Sequence, residues 1–378
     1  MKKEWQTKRL GDVCEIIKGR KPALKATSAK GDLPYLIAKV MRGSKEAEYA
    51  SVKDRNSITV EESETIIICD GSNSGEVFTG FRGILSSTMG KIAKKAEIYD
   101  DYLRAFLDST FDVFNGAKTG AAIPHLDKEA MYQLQFPFPP LDEQKRIMAK
   151  LDEAFAGLAK AKDNAEKNLR NARALFESQL ESIFTQRGKG WEKKTLGDVC
   201  DATQGVQLPK SEQSPTKHAG YMRYLYISDF ESDKNLKYVR DEHPTKLVTP
   251  DDIIVANTGS AGKIFRGIDG ILSNNLFKVS FDSATVDRDF IFFFVTSGLF
   301  REYQQSIMRG TANPHMGHVN FKSTPICIPA LETQRNAVKR IHEYAEETQR
   351  LATIYEQKLE ALESLKKSIL HEAFSGNL

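Results

Sequence analysis

The chain has 378 residues, of which 40% are hydrophobic and 28% charged, with a net charge of +3. That is the composition of an ordinary globular chain with enough apolar residues for real cores, and the length suggests two or three domains. No run of about 18 apolar residues occurs, which excludes a membrane-spanning helix, and the weak positive charge permits a nucleic-acid partner without demanding one.

The opening MKKEWQTKRLGD lacks the apolar core of a signal peptide. Cys14, Cys69, Cys200 and Cys327 are scattered with no CxxC pair. This fits a reducing cytoplasm and argues against a zinc site. Taken in order, the chain repeats itself with a period of about 190 residues. Trp5 and KRLGDVCEIIKGRKP return as Trp191 and KKTLGDVCDATQGVQLP. Leu10-Gly11-Asp12-Val13-Cys14 and Leu196-Gly197-Asp198-Val199-Cys200 are identical. PYLIAKV from Pro34 and RYLYISDF from Arg223 each read as a short apolar strand. IIICDGSNSGEVF from Ile66 parallels IIVANTGSAGKIF from Ile253, and GILSSTMGKI from Gly83 parallels GILSNNLFKV from Gly270. Helical stretches follow at DDYLRAFLDSTFDVF from Asp100 and DRDFIFFFVTSGLF from Asp287, each opened by an Asp suited to N-capping. TGAAIPHL from Thr119 and GTANPHMG from Gly310 then lead to QFPFPPLDEQ and STPICIPALETQ.

Each copy ends in a long helix, Leu141 to Phe184 and Leu331 to Phe374. Pro137, Pro139 and Pro140, like Pro325 and Pro329, enforce an extended lead-in. Asp142, Glu143 and Glu332 sit in first turns, where negative charge is favoured. Neither helix contains Pro, and Gly157 is the sole Gly. At 1.5 Å per residue each is roughly 65 Å long and needs a partner along its length. Leu151, Phe155, Leu158, Ala165, Leu169, Ala172, Phe176 and Ile183 follow a 4-3 alternation. So do Ile341, Ala345, Ala352, Tyr355, Leu359, Leu362, Ile369 and Ala373. This is a heptad-like seam, broken by Lys162 and Lys366. Two separate amphipathic core helices would show similar spacing. The repeat favours the two packing on each other as an antiparallel coiled coil. The expectation is therefore an α+β protein with four segments: a mixed α/β domain at 1–140, helix and link at 141–188, a second domain at 189–330, and a second helix at 331–378. Antiparallel helices would make it a pseudo-twofold particle with its domains at opposite ends of a rod.

No catalytic motif is persuasive. Gly259-Ser260-Ala261-Gly262-Lys263-Ile264 is too short for a phosphate loop, and Glu76 stands where Lys263 does, so a tight turn between strands is expected. His315 and His318 have HxxH spacing, but the first copy matches only His315, at His125. A turn or a hydrogen bond is the simpler role for that pair. GxSxG, HExxH and the Asn-Pro-Pro-aromatic methyltransferase tetrad are missing from the sequence. What remains are polar, Gly-bearing loops with basic residues. The first copy offers Lys18, Arg20, Lys21, Lys25, Lys30, Arg42, Ser72, Asn73 and Lys118. The second offers Gln204, Gln207, Lys210, Lys217, His218, Lys263 and Arg309. Lys and Arg can neutralise phosphates, and Arg, Gln and Asn can pair with base edges. A solvated loop face is the bland alternative. These loops are where the copies differ most, as reading two different half-sites would require.

The order of these elements resembles the specificity subunit of a type I DNA restriction–modification system. The resemblance covers essentially the whole chain: the LGDV opening, the GSNSG and TGSAGK turns, GILSS and GILSN, the PPLDEQ and PALETQ lead-ins, the paired helices and the terminal ILHEAFSGNL. Thr333 departs from the pattern, standing where the first copy has Glu143. The resemblance implies two target-recognition domains, each reading half of a bipartite, asymmetric sequence in double-stranded DNA. It implies helices that set the spacer and dock two modification subunits, which carry S-adenosylmethionine and methylate adenine N6. Restriction subunits using ATP and Mg²⁺ complete the complex. This chain would then hold no cofactor, bind no membrane, act in the cytoplasm and catalyse nothing alone. A related type II specificity subunit and a coiled-coil protein scaffold are the competing readings.

Overall fold

The structure, a computed structural model, describes residues 5–116, 125–186, 188, 190–258, 260–308 and 316–378. It divides into two compact units, Met1–Glu166 with Gln357–Leu378, and Lys167–Glu356.

In the first unit the strand Gln6–Arg9 pairs antiparallel with Gln135–Phe138, Gln6 opposite Phe138 and Arg9 opposite Gln135. The pairing brings the start of the domain to its end. From there Pro139 and Pro140 lead into the helix Leu141–Thr185. LGDV forms one helical turn that buries Leu10 and Val13. A Cβ at Gly11 would lie 2.8 Å from the Tyr132 Cβ, so only glycine fits that contact. One four-stranded antiparallel sheet runs in the order Cys14–Lys18, Met89–Lys94, Ile66–Ile68, Val77–Phe78. A second runs Tyr49–Ser51, Asp32–Leu36, Gly83–Leu85, Thr59–Val60. Its central strands are parallel, with Tyr35 opposite Ile84 and Leu36 opposite Leu85. The strand expected at PYLIAKV ends at Leu36, and Ala38–Met41 turns into a short helix. Ile66–Ile68 is apolar throughout because both its faces are covered. Ile67 joins the core that contains Tyr102 and Phe136, while Ile66 and Ile68 join another with Leu36 and Leu85.

The second unit repeats this strand order, with the strand Ile253–Ala256 set one residue along from the sequence alignment: Ile66 pairs with Lys91 in the first unit, but Ile254 pairs with Lys278 in the second. Glu192–Thr195 pairs with Pro325–Ile328. The sheets run Asp201–Gln204, Leu276–Ser280, Ile253–Ala256, Ile264–Phe265 and Tyr238–Arg240, Tyr221–Leu225, Gly270–Leu272, Leu247–Val248. Tyr224 lies opposite Ile271 and Leu225 opposite Leu272, in parallel again. A Cβ at Gly19 would lie 2.2 Å from the Ser86 carbonyl oxygen, and one at Gly205 would lie 2.1 Å from that of Ser273, so the same close approach recurs. One departure is the stretch from Asp287. Asp287 caps as expected, accepting from Phe290 N at 3.0 Å. The stretch is nevertheless two helices, Arg288–Thr296 and Gly298–Met308. Ser297 is extended, donates its hydroxyl to Phe294 O at 2.6 Å and accepts from Phe300 N at 3.4 Å. It ends one helix and starts the next.

The helices Leu141–Thr185 and Leu331–Phe374 each give one half to each unit. In the first unit Lys162 Nζ meets Glu363 Oε1 at 2.7 Å, and Ile147 and Leu151 share a core with Ala373. In the second, Arg173 meets Glu356 at 3.2 Å, and Leu180 and Ile183 share a core with Ala337 and Ile341. Rising numbers on one helix meet falling numbers on the other, so the pair is antiparallel. Every apolar seam position named from the sequence is buried or half-buried. Lys366 lies over the Phe155 ring at 5.6 Å, and Lys162 is exposed, so both seam lysines keep their ammonium out of the apolar strip. Each helix also ends in the core of the domain it does not follow in sequence. Phe374 packs edge-on against Tyr102 and Phe106, both at 5.3 Å. Phe184 meets Phe290 at 5.0 Å and Phe294 at 5.3 Å.

Candidate nucleic-acid interface

The polar loops gather at matching strand ends. In the first domain Lys18 ends the strand Cys14–Lys18, and the loop 69–76 joins Ile66–Ile68 to Val77–Phe78. Gly71 and Gly75 there have φ of +123° and +97°, which permits the tight turn expected of GSNSG. Asp70 binds the two together. Its carboxylate accepts from Lys18 Nζ at 2.7 Å and pairs with His125 Nδ1 at 2.8 Å. Burial pushes the Asp70 carboxyl up, but the hydrogen bonds from Lys18 and His125 outweigh it and hold it below the usual carboxylate range. Arg42, just after the helix Ala38–Met41, pairs with Glu76, and Asn73 donates to the same Glu76 oxygen at 3.3 Å. Lys18 and Arg42 are therefore tied to the two ends of the loop that carries Ser72 and Asn73. Arg20, Lys21 and Lys30 are exposed beyond it. Lys25 is held by Asp32 at 2.9 Å.

The second domain builds the same place from amides. Gln204 ends the strand Asp201–Gln204 and donates to the carbonyl oxygens of Asn274 and, at 3.3 Å, Leu276. Asn257, which holds the backbone position of Cys69 in the first domain, is buried and donates to Asn274 O at 3.1 Å. Asn274 Nδ2 in turn donates to Gln207 Oε1 at 3.3 Å. Lys263 pairs with Glu231 at 2.8 Å. Lys210 and Lys217 are exposed, and His218 Nε2 lies 3.1 Å from Ser214 Oγ. Lys118, Arg309 and His315 lie outside the described residues. His318 packs its ring edge-on against Phe277 at 4.9 Å.

The named residues thus fall into two sets. Lys18, Lys25, Arg42 and Lys263 have carboxylate partners, so their first task is to tie loops to the scaffold. Arg20, Lys21, Lys30, Lys210 and Lys217 present their charge outward, where phosphates could be neutralised. Sequence reasoning missed Asp70, Glu76, Glu231, Asn257 and Asn274, the acceptors and amides that hold the loops. Part of their signal was present in the repeat, where Glu76 aligns with Lys263; counting along the sequence also sets Asp70 beside Asn257, but the one-residue offset of the strand puts Cys69 there. Among the described residues no group of three His, Cys, Asp or Glu is placed to hold a metal ion, and no helix is long and apolar enough to cross a membrane.

The family model described as "Type I restriction modification DNA specificity domain" matches residues 2–167 and again 188–363. The MjaVIII type I restriction enzyme specificity subunit of Methanocaldococcus jannaschii is 28% identical over 406 residues, covering 99% of this chain and 93% of that protein. The EcoBI specificity subunit of Escherichia coli is 20% identical over 385 residues, covering 92% and 81%. Among solved structures, a chain from work on complex assembly and conformational transition of the type I R-M system superposes with a TM-score of 0.76 at 18% identity, covering 99% of this chain and 98% of that one. The HsdS subunit from Thermoanaerobacter tengcongensis gives 0.58 at 18% identity, covering 99% and 97%, and both likenesses bear on the fold. With two matched copies that together span most of its length, the chain belongs to the type I restriction–modification DNA specificity family.

Proposed function

We propose that this chain reads DNA for a type I restriction–modification complex and catalyses nothing by itself. Each domain reads one half of a bipartite, asymmetric target, and the paired helices set the spacer between the halves. The observation that carries this is one scaffold built twice with the same strand order, with different chemistry on equivalent loops. Lys18 and Glu76 in one copy are Gln204 and Lys263 in the other. Exposed cations beside the loops hold phosphates and fix register, while loop amides and Arg read base edges. Two modification subunits dock on the complex, bind S-adenosylmethionine and methylate adenine N6. Restriction subunits supply ATP- and Mg²⁺-dependent cleavage. This chain holds none of those cofactors, and the assembly works in the cytoplasm.

The test is a methylome. The chain is expressed with its modification subunit in a host lacking adenine methylation, and N6-methyladenine is mapped. One bipartite motif is expected, altered in one half when residues 1–140 are exchanged for those of another family member. Lengthening both helices by one heptad should lengthen the spacer and leave the half-sites alone. Binding to the site should weaken steeply between about 50 and 200 mM salt, as phosphate contacts require. No methylation beside a folded modification subunit that binds S-adenosylmethionine would overturn the reading.

A further inference from the structure

The two domains hold one contact with its charges exchanged. In the first, Arg42 follows the short helix Ala38–Met41 and pairs with Glu76, the last residue of the loop 69–76. In the second, Glu231 follows the helical turn Ile227–Phe230 and pairs with Lys263 at 2.8 Å. Counting from the aligned strands puts Arg42 and Glu231 at one position of the repeat, and Glu76 and Lys263 at another. Reversing either member alone would set like charges opposite each other, and here both are reversed and the contact survives.

Stability is a weak reason to keep such a pair. Arg42, Glu231 and Lys263 are all exposed, and exposed ion pairs contribute little. Position is the stronger reason. The loop 69–76 turns on Gly71 and Gly75, both at positive φ, so its backbone has more freedom than most. Glu76 ties it at one point to Arg42, and Asn73 within the loop bonds to the same carboxylate oxygen. The ion pair thus fixes a reading residue indirectly.

We propose that Arg42–Glu76 and Glu231–Lys263 are positioning pairs, each latching the glycine loop of its domain to the turn after the short helix. Their opposite polarity makes the halves of the two latches non-interchangeable. The proposal rests on the reading of the domains as half-site readers. It goes further by naming residues that govern specificity through the loop they hold.

The test uses the full chain in complex with its modification subunit. Arg42→Glu and Glu76→Arg are made singly and together, and methylation of each half of the motif is mapped with the denaturation midpoint of each variant. Each single change should lower methylation rate or fidelity at the half-site read by residues 1–140 by about tenfold, and the double change should recover most of it, as a direct pairwise contact requires. The other half-site should read as in the parent throughout. Singles that methylate like the parent would overturn the proposal. So would a double variant as poor as the singles, whether it unfolds or keeps its midpoint; with the midpoint kept, Arg42 or Glu76 touches DNA itself. A parent complex with no chain-dependent motif is a different failure, that of the reading on which the proposal rests.

Discussion

Phe184 lies in the helix that follows the first domain, yet it is 4% exposed and belongs to the core of the second. Replacing it with Ala removes a buried phenyl group and two edge-to-face contacts, with Phe290 and Phe294. Burial of the ring contributes about 1.5–3 kcal/mol, and each aromatic contact adds about 0.5–1.5. The sum is roughly 2.5–6 kcal/mol, which brackets the usual loss of about 3–5 for Phe→Ala in a core. The chain supplies its own reporters. Of its two Trp residues, Trp5 packs on the first unit's core and Trp191 on the second's, where its ring is 6.3 Å from Phe290. In a Trp5→Phe background, fluorescence in urea follows the second unit alone, and Phe184→Ala should lower its midpoint by about 1–2 M. In a Trp191→Phe background the same change should leave the Trp5 transition nearly in place. Phe374→Ala should do the reverse, moving the Trp5 transition by roughly 2–3 kcal/mol, since Phe374 is only half-buried. If Phe184→Ala moves the Trp5 transition instead, or moves neither by more than about 1 kcal/mol, the assignment of each helix end to the other domain's core is wrong.

Other changes test separate parts of the structure. A Cβ at Gly157 would meet nothing within 4 Å in mid-helix, so Gly157→Ala should stabilise by about 0.5–1 kcal/mol, read by thermal unfolding. Because Asp70 titrates below its unfolded value of about 3.9, its stabilisation is present above that pH and lost as pH falls through the folded value. Asp70→Asn, which removes the charge and keeps the shape, should therefore cost stability at neutral pH. The difference from the parent should hold from neutral pH down to the unfolded value of about 3.9 and narrow only as urea unfolding is carried below it; a difference that stays constant below that pH would refute the charged contact. Burial pushes the thiols of Cys14 and Cys200 up to about 12. Native protein at pH 8 should alkylate them far more slowly than unfolded protein, with partly exposed Cys327 reacting first.

What the sequence made legible follows from the repeat and from short-range chemistry. Seam spacing, the acidic first turns and the Asp287 cap depend on residues a few positions apart, and so do the tight glycine turns. Two copies obeying the same local rules made each other's signals visible. Gly19 and Gly205 recur because each must admit a serine carbonyl at the same place. Contacts across long separations were not legible. Arg42 and Glu76 are 34 residues apart, and Lys18 and Asp70 meet only because two strands end side by side. The break at Ser297 was hidden for another reason. Its sequence, FFFVTSGLF, is apolar enough for one helix, and only the hydroxyl bonds to Phe294 and Phe300 show that the chain turns there.

The same distinction separates what each domain must keep from what it can vary. The aromatic pairs that receive Phe184 and Phe374 sit four residues apart on their helices and face the core, so they answer to packing, and a substitution there is felt by the whole unit. Asp70 and Asn257 stand at the same end of the equivalent loops, and each is satisfied by local partners, the cationic Lys18 in one domain and the backbone carbonyl of Asn274 in the other. Such a position can change chemistry without repacking the core, provided its neighbours change with it. A reader of many targets needs that separation: a packed frame fixes where the loops stand, and small sets of compensating polar residues decide what they present.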